Sequence, residues 1–198
     1  MEIIFKLDPK KVMDRTEDGK VIFNYSDMKS IPEWPEGPMV EIIQGELYMA
    51  PSPQIKHLRI SRNLEFIIHN YTREHNLGEV LNAPIDVVLS DENVVIPDII
   101  FILEKNKEII GDKNIKGIPD LIVEILSSNV KLDKVTKKEL YEKFKVPEYW
   151  IIDPITETIS VYLFSGNKFI LRNYKKGEII SIKTIKGLEV DTTNIFKY

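Results

Sequence analysis

The spacing of apolar residues changes several times along this chain, and each change predicts an element. From Met39, "MVEIIQGELYMA" reads as two short strands turning at Gln44 and Gly45. "PSPQIKHLRISRNLEFIIHNYTREHN" then shifts to a helical period, with His57, Ile60, Leu64, Ile68 and Tyr71 on one inward stripe. Ser52 is the expected N-cap of this helix, and Pro53 falls in its first turn. "APIDVVLS" and "VVIPDIIFIL" are β-branched runs joined by "DEN", which predicts a second hairpin. A lysine-rich loop from Glu104 to Lys116 leads to the strand "PDLIVEIL", a helix from about Leu132 to Lys145, and the strand "EYWIID". The remainder, "TISVYLF", "KFILRNY" and "EIISIKTI", is a meander of short strands with turn residues between them. The sum is an α/β (α+β) domain: a mixed β-sheet flanked by one long and one shorter helix, with extra β-hairpins at the C-terminus. Residues 1–38 read as an N-terminal extension. "EIIFKL" and "KVIFNY" are expected as strands around "EDGK", followed by the proline-rich connector "IPEWPEGP", all packed on the domain formed by 39–198.

Composition narrows the class. With 198 residues, 43% of them hydrophobic and 29% charged, the chain can bury a full core as one ordinary globular unit. No apolar run approaches the roughly 20 residues needed to span a bilayer, so no membrane partner is expected. The start, "MEIIFKLDPKK", does not read as a signal peptide. The absence of cysteine removes disulfides and thiolate metal sites, and agrees with a cytoplasmic location. A net charge of −4 gives no general attraction to nucleic acid. Contact with phosphates would have to use local bases: Lys56, Arg59, Arg62 and Arg73 on the long helix, or Lys105, Lys107, Lys113 and Lys116 on the loop. Charge runs of this kind are usually solvated faces.

The informative residues are those that interrupt apolar faces. In a strand, Asp120, Ile122, Glu124 and Leu126 point one way, and Asp98 shares a face with Ile96, Ile100 and Ile102. A buried carboxylate costs several kcal/mol unless it is paired or bound to a cation. The bland alternative is a wet strand end or a backbone cap. On the following helix, Asp133, Lys137, Leu140, Tyr141 and Phe144 form one stripe, so Lys137 is expected to face the sheet with its apolar neighbours. The alternative there is a lysine snorkelling at the helix start, or a plain Asp133–Lys137 pair. Two acids and a lysine in one pocket fit metal-assisted phosphodiester hydrolysis. Oxygen ligands suit a hard cation such as Mg²⁺, and a lysine can orient water or offset charge in the transition state.

The segments "IIQGELYMAPSPQIKH", "VVIPDIIFI", "IPDLIVEILSSN", "DKVTKKELY" and "VPEYWIIDP", in this order, resemble the Uma-type family of putative restriction endonucleases, a branch of the PD-(D/E)xK nuclease superfamily. The resemblance implies a restriction-endonuclease-like fold. It gives Asp98 as the first metal-binding aspartate and Glu124 as the acid of the (D/E)xK element. Two residues further on, where the superfamily has its lysine, stands Leu126. Lys137 matches the position to which the lysine has moved in many members of this family. Glu46 resembles a further acidic residue of the active site, with catalytic and metal-binding roles. His57 matches a histidine usual early in the long helix, and is expected beside a carboxylate or phosphate rather than on the metal. Asp120 and Asp133 are expected as supporting residues, Asp133 by holding Lys137. Together these imply a divalent-metal-dependent DNA endonuclease using Mg²⁺, with Mn²⁺ as substitute, and a homodimer. Two other readings stay open: a catalytically silent nuclease-fold module for binding or assembly, and a metal-dependent phosphodiesterase acting on RNA or nucleotides.

Overall fold

The computed structural model describes residues 22–30, 39–49, 52–127 and 132–198. The chain begins with a short helix, α1 (Tyr25–Ser30), then the hairpin β1 (Val40–Ile43) and β2 (Glu46–Met49), then the long helix α2 (Ile55–Glu74). Strands β3 (Gly78–Asn82), β4 (Asp86–Ser90), β5 (Asn93–Val95) and β6 (Ile99–Leu103) follow. A 3₁₀ turn (Glu104–Ile109) leads to β7 (Asn114–Lys116) and β8 (Leu121–Ile125). A π-helical stretch (Leu132–Lys137) runs into α3 (Lys138–Lys143), then β9 (Glu148–Asp153), β10 (Thr158–Ser165) and β11 (Lys168–Lys175). The chain closes with β12 (Ile179–Ser181), β13 (Glu189–Asp191) and α4 (Thr192–Ile195).

The strands assemble into two principal sheets rather than the single one expected. One has the order β11-β10-β9-β8-β6-β3, the other β2-β1-β5-β4-β7, and β12 pairs with β13 separately. At the centre of the larger sheet β8 runs antiparallel to β6 and parallel to β9. Its pleat sends alternate residues to two cores. Leu121, Val123 and Ile125 join Ile60, Leu64 and Ile68 of α2, together with Trp150, Ile180, Val190 and Ile195. Ile122 and Leu126 face the opposite way, toward Ile43, Val87 and Val95 of the smaller sheet and Leu140 and Tyr141 of α3. The domain is therefore layered: α2 and the C-terminal elements on one side of the large sheet, the small sheet and α3 on the other.

The run "VVIPDIIFIL" explains why there are two sheets. It was expected to be one strand, but it breaks at Ile96–Asp98, between β5 of the small sheet and β6 of the large one. Pro97 has no N–H to give a ladder, so the chain leaves one sheet there and enters the other. The β1–β2 turn matches expectation. Gln44 and Gly45 both have positive φ (53° and 76°), as a two-residue hairpin turn of the primed type requires.

Other differences are local. Helix α2 starts after Gln54, which makes no side-chain cap, so Ser52 is not the N-cap and Pro53 precedes the first turn. The helix expected from Leu132 opens as a π-helical stretch. The lysine-rich loop contains β7, which pairs in parallel with β4. In "KVIFNY", Ile22–Asn24 is irregular and Tyr25 starts α1, so that part is not a strand. "EIIFKL" lies outside the described residues. Among the described residues no helix is long and apolar enough to cross a membrane.

Candidate active site

Lys137 sits where the layers meet. It comes from the end of the π-helical stretch, one turn before Leu140 and Tyr141, and that spacing turns it toward the second core. Its Nζ lies 2.9 Å from Glu41 Oε1 and 3.0 Å from Glu124 Oε1. Glu41 belongs to β1 in the small sheet and Glu124 to β8 in the large one, so one ammonium joins the two sheets. All three are buried: 2% exposed for Glu41, 4% for Glu124 and 4% for Lys137. The Tyr141 hydroxyl donates to Glu124 Oε1 at 2.7 Å. Burial, and then the negative charges of Glu124 and Glu41, push the Tyr141 phenol well above its ordinary value, so it remains a proton donor.

Asp98 lies at the break where the chain changes sheets. Its Oδ2 accepts from the Ile125 N–H at 2.6 Å, and its Oδ1 lies 3.2 Å from His57 Nε2 of α2. Strand β6 pairs with β8 through Ile99↔Val123 and Ile100↔Ile122. Continuing that register one residue past the ladder sets Asp98 across from Glu124. The carboxylates read from two separate sequence runs thus lie opposite each other at one end of the large sheet, with His57 of α2 reaching Asp98. Asp98 keeps some contact with solvent, its side chain being 18% exposed.

Stability alone does not account for this arrangement. Each buried ion costs several kcal/mol of desolvation, and replacing a buried ion pair by well-packed apolar groups is often neutral or stabilising. Glu41, Glu124 and Asp98 also outnumber the one lysine among them, which leaves the locus electronegative and suited to a divalent cation. Among the described residues no three His, Asp or Glu side chains are grouped as a ready metal cage. Mg²⁺ does not require one, since one or two carboxylates with waters and substrate oxygens are its usual ligands. Asp98 and Glu124 fit that requirement in chemistry and in placement.

The remaining sequence candidates fall into different environments. Glu46 pairs with Ile43 and Tyr48 with Glu41 in the hairpin register, so Glu46 shares Glu41's face; its Oε2 accepts from the Tyr48 hydroxyl at 2.9 Å. Asp120 serves as a clasp: it accepts from Leu103 N at 2.8 Å and from Asn106 Nδ2 at 2.8 and 3.0 Å, fixing the 3₁₀ turn against β8. The Asp133 side chain lies outside the described residues. Several of the candidate phosphate-binding bases have local partners, Lys107 on Glu104, Arg62 on Asn63 and Lys56 over the Tyr198 ring.

Glu41 is the residue that sequence reasoning passed over. Its signal was present: it interrupts "VEII", a strand buried along its whole length, just as Glu124 interrupts "LIVEI".

A family model described as Uma2, putative restriction endonuclease, matches residues 26–193. The chain belongs to the Uma2 family. Glu41, Glu46, His57, Asp98, Glu124, Lys137 and Tyr141 all lie inside the matched span. A crystal structure titled as a putative nuclease belonging to DUF820, from Anabaena variabilis ATCC 29413, is similar to this chain with a TM-score of 0.72 and 22% sequence identity. The match covers 88% of this chain and 97% of that one. This Uma2 protein thus has a restriction-endonuclease-like fold over most of its length. No curated protein matches it.

Proposed function

We propose that this Uma2 protein is a divalent-metal-dependent endonuclease that hydrolyses DNA phosphodiester bonds. What supports the reading above all is the buried Lys137 ammonium, within 3.0 Å of carboxylates from both sheets, one of them Glu124, which the strand register sets across from Asp98. Asp98 and Glu124 would hold Mg²⁺, or Mn²⁺ in its place, with Glu46 as an auxiliary acid. When bound, such a cation would supply polarisation of the scissile phosphate and a lowered pKa for a nearby water.

The chain's own groups supply the rest. The Ile125 N–H and His57 hold the Asp98 carboxylate in one orientation. Tyr141 fixes Glu124 by donating to the oxygen that also faces Lys137. Lys137, a buried hydrogen-bond donor, orients the attacking water and stabilises negative charge gathering on the phosphate oxygens. These donors are oriented in advance by packing, so little reorganisation is needed during reaction.

The test is cleavage of supercoiled plasmid by wild type and Asp98→Asn, with Mg²⁺, with Mn²⁺ and with chelator, alongside single-stranded DNA and RNA. Metal-dependent nicking lost in Asp98→Asn is the expected result. Metal-dependent cleavage of RNA alone would move the reading to a ribonucleic acid substrate. Failure to cleave any of the three would leave a nuclease fold used for binding.

A further inference from the structure

Glu41 Oε1 accepts from Ile96 N at 2.8 Å as well as lying 2.9 Å from Lys137 Nζ. Ile96 opens the three-residue crossing that ends at Asp98. One oxygen of the small sheet therefore ties the lysine to the segment carrying the aspartate. Glu124 Oε1 lies 3.0 Å from the same ammonium.

We infer that Glu41 is a positioning residue for Lys137, sharing its charge with Glu124 so that Glu124 keeps enough negative charge to hold a cation. The inference rests on the nuclease reading above. Neutralising Glu41 leaves the ammonium with Glu124 as a charged partner at contact distance. That tighter pairing makes Glu124 a poorer cation ligand and draws Lys137 away from the place where it meets the phosphate. Glu41 thus acts through Lys137, without itself touching cation or substrate.

This predicts a coupling that a merely structural residue would not have. Glu41→Gln keeps an acceptor for the Ile96 N–H while removing the charge. Four proteins are compared: wild type, Glu41→Gln, Lys137→Met and the double variant. Mn²⁺ binding is read directly from the electron paramagnetic resonance of the free ion, and plasmid nicking gives kcat and KM separately. Glu41→Gln is expected to bind Mn²⁺ about tenfold more weakly and to lower kcat about 10- to 100-fold at saturating metal, with KM nearly unchanged. Added to Lys137→Met, the same substitution is expected to leave kcat unchanged and to weaken Mn²⁺ by clearly less than it does in the wild-type background.

If Glu41→Gln weakens Mn²⁺ equally in the Lys137→Met background, Glu41 is a ligand in its own right and the inference fails. Losses that simply add across the cycle would make Glu41 structural, with the same consequence. A wild type that neither binds Mn²⁺ nor nicks would remove the nuclease reading itself, and the inference with it. Melting curves of all four proteins show that each is folded.

Discussion

Glu124 and Glu148 are buried glutamates on neighbouring parallel strands, yet they solve burial in opposite ways. Glu148 faces the α2 side of the large sheet and is fully buried. It accepts from Trp150 Nε1 at 2.9 Å, Thr184 N at 2.9 Å and Thr184 Oγ1 at 3.1 Å, all neutral donors. Burial raises its carboxyl above the usual range, with those hydrogen bonds pulling the other way. Glu124, on the opposite face, meets a buried ammonium and a phenol. Glu148 is a closed arrangement that fastens the C-terminal turn to β9. Glu124 belongs to a charged one, with Asp98 near solvent and more acids than bases. Burial of an acid therefore does not mark the site; the charge and completeness of its partners do.

The sharpest way to break this comparison is to remove the ammonium. Lys137→Met leaves Glu41 and Glu124 facing each other, and should cost about 3–5 kcal/mol in stability in the presence of chelator. Mg²⁺ should restore part of that loss, because a cation held by Asp98 and Glu124 would offset the charge of Glu124. Chemical denaturation with and without Mg²⁺ measures both effects. Glu148→Ala should cost less, about 1–3 kcal/mol from unsatisfied donors, and Mg²⁺ should return none of it. Plasmid nicking by the folded fraction of Glu148→Ala should match wild type.

Tyr141→Phe removes one donor to Glu124 and should cost about 1 kcal/mol, with nicking slowed by about tenfold. The smallest effect concerns pH. Because the folded-state carboxyl of Glu148 is raised, burying its charge is a penalty that is present at neutral pH. The penalty fades as pH falls through the raised folded value, and is gone below the unfolded value of about 4.3. Glu148→Gln carries no such charge. Wild type should therefore lose stability relative to Glu148→Gln as pH rises, a difference visible in melting temperatures across that range.

Much of the site was legible because local periodicity alone sets which way its residues face. Strand alternation brought out Asp98 and Glu124, and helical spacing turned Lys137 inward with Leu140 and Tyr141. These inferences survive a π-helical start because the residues that fix the face, from Lys137 onward, are still in register with α3. What the sequence did not reveal depends on long-range pairing. Strands of three residues such as β5 and β7 carry too little pattern to announce which sheet they join. Pro97 signalled a break, but not that the chain would change sheets across it. Glu41 carries the local sign of a buried acid, but that it faces Lys137 is fixed by the second sheet, which no local pattern announces. Asp120 and Glu124 looked alike as acids on β8. Asp120 differs only because Leu103 and Asn106 happen to close over it.

If the seam around Lys137 hydrolyses phosphodiesters, cleavage needs both its lysine and a divalent cation. The most direct measurement is nicking of supercoiled plasmid by wild type and Lys137→Met side by side in Mg²⁺, at a temperature where both are folded. Wild type is expected to nick, chelator to abolish nicking, and Lys137→Met to be at least about 100-fold slower. A folded Lys137→Met that nicks as fast as wild type, or wild-type nicking that persists in chelator, would contradict that role for the seam.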